Sequence, residues 1–363
     1  MESQPSAITQ KAIAAIGEDA PTDWQLNVEV HSESLGQNAR LLKQILNAPP
    51  FAEIISTFRS ADDAAKSAQK FYKRLARLSA WTGFGAALFG SLVLMAANAL
   101  AVGSLLTAAA ALQAVLLIVS LGSSLLIGSL QPFEAWMLKR AEAENARASL
   151  FDQVMAARGP TDSEDRILLP LQLEYFRRYQ LDVQRLYYQQ RGAQHAEAAR
   201  KAWWWRLVAF LLVLLAAFPV LWSIQGSLTV PAPLQDFING MPHRTETMQR
   251  AFLGIGIIAA SLQGLLAAFA VMSLDERNAA RYRSTAENLD ALAARPLDEA
   301  RAAAAVTSEE SGATQVAREQ VLAFIALAQE QISAEHREWI ALRKLAPDLA
   351  LDRLKSLRLP PRS

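Results

Sequence analysis

Three long stretches of this chain carry no charged residue, although charged residues make up 20% of the sequence. The stretches run over residues 78–133, 207–235 and 251–274. A helix needs about 20 mostly apolar residues to cross a hydrocarbon core of ~30 Å. Soluble helices of that length show a polar stripe, and these stretches have none. The sequence therefore predicts an integral membrane protein.

The first stretch is too long for one helix, and Gly103-Ser104 offers a natural break within a tight hairpin at 99–107. Trp203, Trp204 and Trp205 precede the second stretch and are predicted to anchor the chain at the membrane interface, where tryptophan is enriched. We predict four spanning helices, at about 78–100, 106–130, 207–225 and 251–274.

Lys and Arg residues flank these spans unevenly, and cytoplasmic loops are the ones enriched in Lys and Arg. The hairpin between the first two spans has no charge, and the segment 226–250 has only Arg244 and Arg250 as basic residues. Both are therefore predicted outside, with the termini and the central segment in the cytoplasm. The polar N-terminus lacks the pattern of a signal peptide, so the first span is expected to be retained.

The sequence also predicts an internal repeat of two copies that have the same orientation in the membrane. Each copy has a basic-aromatic helix, a two-span hairpin and a charged helix. The copies cover about 61–158 and 165–300, between an N-terminal region at 1–60 and C-terminal helices at 301–363. Both charged helices share the pattern Arg-x-x-x-Glu-Asn, and an Arg and a Glu four residues apart lie on one helix face and can pair. The motif residues are Arg140, Glu144, Arg283 and Glu287.

The segments outside the spans are predicted to form long helices packed as a bundle, which makes the fold all-α. Helical patterns cover 171–206, 276–305 with a break at Pro296, and 314–346. A loop is expected at 303–313, where Ser, Gly and Thr cluster. Gln184, Tyr187 and Tyr188 would face either the bundle or a partner.

Uncharged polar side chains inside the spans are the candidate functional residues. Gln113 and Gln263 occupy similar places in the two copies, and either a pore lining or hydrogen bonds within the bundle would explain them. Asn98 is expected to be solvated at the outer interface. Two stripes of small residues would let helices approach closely, within one subunit or between subunits. The stripes are Ser120, Ser124 and Gly128, then Ala260, Gly264 and Ala268.

Other classes of function find little support in the sequence. A net charge of +1 gives no electrostatic case for nucleic-acid binding. There is no cysteine, and the four histidines lie far apart, so no metal site is predicted. Gly254-Ile-Gly256 lies in a span rather than after a strand, which excludes a dinucleotide fingerprint. We predict no enzymatic activity and no cofactor.

Three segments carry a resemblance to a known family. Residues 281–289 (Arg-Tyr-Arg-Ser-Thr-Ala-Glu-Asn-Leu) resemble the helix that follows the membrane hairpin in SLATT proteins, the SMODS and SLOG-associating two-transmembrane effectors. Residues 175–188 resemble the helix before the membrane in that family, and 335–339 (Glu-His-Arg-Glu-Trp) its closing element. The match is best over about 165–345, and 60–158 looks like a diverged second copy.

The resemblance implies an effector of a prokaryotic conflict system, one that responds to nucleotide sensing or to phage. Such a protein would oligomerise in the bacterial inner membrane and permeabilise it when a separate nucleotide-sensing or nucleotide-synthesising partner is activated. Two alternatives stay open: a non-conducting scaffold that anchors a cytoplasmic partner, and a small-solute transporter. The absence of ionisable residues from the spans disfavours a proton-coupled transporter.

Overall fold

The computed structural model describes residues 6–19, 21, 26–96, 103–223, 246–273, 275–306 and 312–356. Within these ranges every regular element is a helix, so the predicted all-α class is confirmed. A 3₁₀ turn at Gln37–Ala39 and a π-helical turn at Arg177–Leu181 interrupt the α-helices. The α-helices are α1 Ala7–Ile16, α2 Val28–Ser34, α3 Arg40–Leu46, α4 Pro49–Ala96, α5 Gly103–Leu130, α6 Pro132–Ala156, α7 Asp162–Phe176, α8 Asp182–Ser223, α9 Glu246–Ser273, α10 Asp275–Ala293, α11 Arg295–Ala304 and α12 Ala313–Ser356.

The chain divides into two compact units, each built from segments that are distant in the sequence. The polar unit comprises Met1–Ala65, Met137–Gln194 and Asn278–Ser363, and the apolar unit comprises Lys66–Trp136 and His195–Arg277. The division of the sequence into two successive repeats stays a prediction.

Three helical stretches are long and apolar enough to cross a membrane: Pro49–Met95, Gly103–Leu130 and Phe252–Ala293. Only 11%, 0% and 11% of their most apolar windows are buried inside the protein, so their apolar side chains face outward. Exposed apolar surface of this extent is unfavourable in water and favourable in lipid. By length, composition and exposure, these three helices are suited to cross a membrane.

Gly103–Leu130 contains the second predicted span, Pro49–Met95 covers the first from residue 78 to 95, and Phe252–Ala293 covers all but the first residue of the fourth. The third predicted span, 207–225, begins within α8, and its last residues lie outside the described part of the chain, as do Asn98 and most of the segment 226–250 that is predicted outside. Three candidate spans are established on length and composition, and the fourth stays a prediction.

Helix α7 forms the centre of the polar unit. Its residues from Leu168 to Phe176 are all buried, and α1, α3, α11 and α12 pack against it. A helix that is buried on every face needs neighbours on every side. The N-terminal residues supply part of that cover, since Ile16 and Leu42 enter the same core.

The buried carboxylate of Glu174 in α7 pairs with an arginine of the following π-helical turn and with an arginine of α11. Glu174, 1% exposed, accepts hydrogen bonds from Arg177 at 2.6 Å and from Arg301 at 2.7 Å. Burial alone would lower the pKa of Arg301, but Glu174 and Asp298 outweigh burial and raise that pKa. Buried charges persist only with such partners, because desolvation is costly.

A second buried pair joins α7 to α12. Arg318 is 2% exposed and donates to Asp165 at 2.6 Å and to the carbonyl of Met155 at 2.7 Å. Burial lowers the pKa of Arg318, and Asp165 opposes that effect. Gln172 donates to the carbonyls of Val154 at 2.6 Å and Ala157 at 2.9 Å, so the C-terminal end of α6 is satisfied by side chains.

The predicted helical patterns agree broadly with the observed elements. The run from 171 to 206 is helical but passes through the π-helical turn, where the Asp182 N–H bonds to the Arg177 carbonyl. The break near Pro296 falls at Ala294, and Pro296 lies in the first turn of α11, where its missing N–H is harmless. The helical pattern over 314–346 places apolar residues at helical spacing on one face of α12, and this face is buried, while the side chains of Trp339 and Leu342 in the same pattern lie outside the described part. That face comprises Val321, Phe324, Ile325, Ala328 and Ile332.

Candidate functional site

The first stripe of small residues is used inside the chain, where α5 packs against α4. The Ser120 hydroxyl donates to the Ser79 carbonyl at 2.9 Å, and the Ser79 hydroxyl donates to the Ser120 carbonyl at 3.2 Å. Ser79 and Ser124 place their hydroxyl oxygens 2.7 Å apart. Such reciprocal bonds satisfy polar groups that lipid cannot hydrate. Gly128 lies beyond this contact, since a Cβ there would meet no atom within 4 Å.

Gln113 belongs to the same helix pair. A Cβ on Gly90 would lie 2.5 Å from the Gln113 Nε2, so the glutamine packs directly over the glycine of α4. The absence of a side chain at Gly90 makes room for the amide. Its place favours a contact within the subunit over a pore lining.

The inner face of α9 packs against α4 and α8. A Cβ on Gly254 would lie 2.5 Å from Met95 Cγ, and one on Gly256 would lie 3.3 Å from Ala216 Cβ. The two glycines that resemble a dinucleotide fingerprint therefore serve close helix approach. Phe269 adds an edge contact to Trp81, with ring centroids 5.9 Å apart.

The opposite side of α9 has no cover within the described chain. Its exposed residues lie three, four or seven positions apart, which places them on one side of the helix. Gly264 is exposed, and a Cβ there would meet no atom within 4 Å. The predicted Ala268 lies half-buried at the margin. We call this surface the open face of α9: Leu253, Ile257, Ala260, Gly264 and Val271.

Gln263 lies next to the open face and is half-buried. No hydrogen bond to its amide is seen among the described residues. Its environment therefore differs from that of Gln113, although both glutamines follow a leucine and both lie in the second span of a predicted hairpin. In lipid, a hydrogen bond to any partner stabilises an amide, and the same amide of another subunit can be that partner.

The ends of the apolar helices carry aromatic and charged side chains suited to the membrane interface. Trp203, Trp204 and Trp205 are 52%, 58% and 59% exposed, as an interfacial anchor requires. Trp136 stacks on Tyr72 at 6.4 Å, and Lys73 lies 5.9 Å from the Trp136 ring. This second aromatic cluster was missed by the sequence reasoning, although Trp136 follows soon after Pro132.

Two charged contacts join α8 to the start of α10. His195 and Asp275 approach to 2.6 Å, and Arg206 and Glu276 to 2.7 Å. Sequence reasoning missed them too. The sequence carried a signal for these contacts, because acidic residues directly follow the predicted fourth span and basic residues precede the predicted third. Both contacts fix the register of helices near a membrane boundary.

The two copies of the Arg-x-x-x-Glu motif lie in different surroundings within the polar unit. Arg140 donates to the Tyr187 hydroxyl at 3.4 Å, and Glu144 lies 3.6 Å from Arg147. Arg283 and Glu287 are both exposed, and no ion pair between them is seen in the described chain. Equivalent sequence positions therefore have different tertiary neighbours.

No cluster of three or more metal-ligating side chains occurs among the described residues. Comparison with family models, with curated proteins and with solved structures found nothing that matches this chain.

Proposed function

We propose that this protein is a membrane effector of a prokaryotic nucleotide-sensing or antiphage conflict system. It would oligomerise in the inner membrane and permeabilise it. The observation that carries the proposal is the open face of α9, an apolar surface with Ala260 and Gly264 at its centre and bulky residues at both ends.

Small residues at the centre of an apolar helix face let a second helix approach closely, and close approach drives association in lipid. On α5 the small residues already pack within the chain, because Ser120 and Ser124 contact α4. On α9 the equivalent surface is available to a second copy. The open face therefore favours contacts between subunits.

Gln263 adds a polar group beside that face. Between two copies, its amide would find a symmetric partner, and in a larger ring it would line a polar path. Gln113 is a weaker candidate because it packs over Gly90 inside the chain. The polar unit, with its buried charge pairs, would receive the signal of a partner protein.

The test is induced expression in bacterial cells loaded with a membrane-potential dye, with and without phage challenge. We expect the wild type to collapse the potential under at least one of these conditions. Gly264→Leu should weaken the collapse about tenfold or more, because a bulky side chain blocks helix approach worth a kilocalorie or two. Gly128→Leu is the matched control, since Gly128 is exposed on α5 and should tolerate the change.

A potential that never collapses contradicts the pore proposal and favours the scaffold, which needs no conduction. Single-cysteine variants then separate assembly from conduction, because the chain has no cysteine of its own. Gly264→Cys should form a disulfide-linked dimer in membranes on mild oxidation, and Gly128→Cys should not. Equal cross-linking of the two variants would argue against the open face as the interface.

A further inference from the structure

A small polar pocket lies inside the polar unit, where faces of α6, α8 and α12 meet the π-helical turn. Its volume is about 60 Å³. It is lined by side chains with unusually many hydrogen-bonding groups, among them Arg140, Glu144, Gln180, Gln184, Tyr188 and Gln329. A pocket that only resulted from imperfect packing would be lined by apolar side chains.

Gln180 is the decisive residue of this pocket. It is 1% exposed, and in the part of the chain that the structure describes its buried Oε1 has no hydrogen-bond partner. A buried acceptor without a donor destabilises the fold, and native proteins rarely keep one without a functional reason. A bound molecule that donates a hydrogen bond to this Oε1 atom would satisfy it.

The π-helical turn is a second and independent observation. Gln180 belongs to the turn Arg177–Leu181, inserted between two regular helices. Turns of this kind are rare and occur frequently at functional sites. Arg177 holds the turn through bonds of 2.6 Å to both Glu174 and Asp182. The position of Gln180 is thus fixed by a buried charge network rather than by a flexible loop.

The charges at the rim define what the pocket would recognise. Arg140 presents a guanidinium, which suits a carboxylate, and Glu144 presents a carboxylate, which suits an ammonium group. Gln180 adds an acceptor on the buried side. A volume of this size corresponds to about four to six water-sized positions, as many as the heavy atoms of the smallest amino acids.

We propose that this pocket binds a small zwitterionic α-amino acid. Its carboxylate would lie at Arg140, and its ammonium group would donate to Gln180 Oε1 and to Glu144. The assignment does not depend on membrane permeabilisation, because it concerns binding to the polar unit alone.

The experiment measures binding to the purified full-length protein in detergent by calorimetry. The probes are glycine and L-alanine, with propionate and ethylamine as analogues that each lack one charged group. We expect glycine or L-alanine to bind, and both analogues to bind at least about tenfold more weakly, because each loses a charge-assisted hydrogen bond.

Two variants test the named residues. Gln180→Leu should weaken binding of glycine and L-alanine about tenfold or more. It should also raise the melting temperature of the ligand-free protein, because it removes an unsatisfied buried amide. Arg140→Gln should weaken binding of L-alanine but leave the affinity for ethylamine unchanged. Gln153→Leu, an exposed glutamine of α6 outside the pocket, is the control and should bind as the wild type does.

Failure of glycine and L-alanine to bind the wild type would overturn the proposal and leave the pocket to water. Equal binding by propionate or ethylamine would also overturn it. So would unchanged affinity in Gln180→Leu.

Discussion

Two arginines of the π-helical turn bind the C-terminal end of α1. Arg177 donates to the carbonyls of Gly17 at 2.8 Å and Glu18 at 3.2 Å, and Arg178 donates to the carbonyls of Ile16 and Asp19. Ile16 is the last residue of α1 and the other three acceptors follow it directly, and cations are favourable at a helix C-terminus. The N-terminal region is thereby joined to the centre of the polar unit.

Gly17→Ala should destabilise the protein by about 1–3 kcal/mol, because Gly17 has φ +104° and its new Cβ would lie 2.5 Å from Arg178 Nη1. Urea unfolding of the detergent-solubilised chain, followed by circular dichroism, measures the effect. Gly192→Ala is the control, since its Cβ would meet ordinary contacts of 3.5 Å within a helix. A loss no greater than that of the control would contradict the prediction.

Arg318→Leu should cost about 3–5 kcal/mol, because it removes the cation 2.6 Å from the buried Asp165 and leaves only the more exposed Arg158, at 3.9 Å. Adding Asp165→Asn should recover part of the loss, so the double variant is less destabilised than the sum of the single variants. The same urea unfolding experiment, carried out on the two single variants and the double variant, measures the three free-energy changes. Arg283→Leu, an exposed arginine, should change stability by less than about 0.5 kcal/mol. Strict additivity of the buried pair would refute the coupling.

At the scale of elements, hydropathy placed the apolar helices well. Helix α5 begins at Gly103, close to the predicted 106, and α9 contains the predicted fourth span except for its last residue, Leu274. Helix position depends on local composition, which the sequence carries directly. Helix contacts depend on which neighbours arrive, so the uses of Gln113 and Gln263 could not be separated from sequence alone.

The pairing of α4 with α5 predicts a cross-link. Ser79→Cys combined with Ser124→Cys should form a disulfide within one chain on mild oxidation, because the two hydroxyl oxygens are 2.7 Å apart. Mass spectrometry of the intact chain detects the loss of a pair of hydrogens. Ser79→Cys with Ser129→Cys is the control, as Ser129 lies on another side of α5 and should not pair. A disulfide in the control alone would exclude the observed register.

At the scale of the whole molecule, the number of membrane crossings determines on which side of the membrane each terminus lies. The distribution of Lys and Arg predicts four crossings with both termini inside. Length and composition of the described helices establish three candidates. An odd number of crossings would place the termini on opposite sides.

Membrane-impermeant maleimide labelling of single-cysteine variants in intact cells decides the topology, since no native cysteine interferes. With four crossings, Ser227→Cys should be labelled from outside, while Ser163→Cys and Ser363→Cys should be labelled only after lysis. If the segment 207–225 does not cross, Ser227→Cys becomes protected and Ser363→Cys becomes accessible. The second pattern would refute the four-span prediction.

The sequence by itself determined the all-α fold, three helices long and apolar enough to cross a membrane, and the buried face of α12. These follow from hydropathy and helical periodicity, which are properties of neighbouring residues. Only the tertiary structure decided that Ser120 and Ser124 are engaged within the chain while Gly264 is open, and that Gln180 faces a polar pocket. Those outcomes depend on contacts between residues that are distant in the sequence, and local sequence patterns do not encode such contacts.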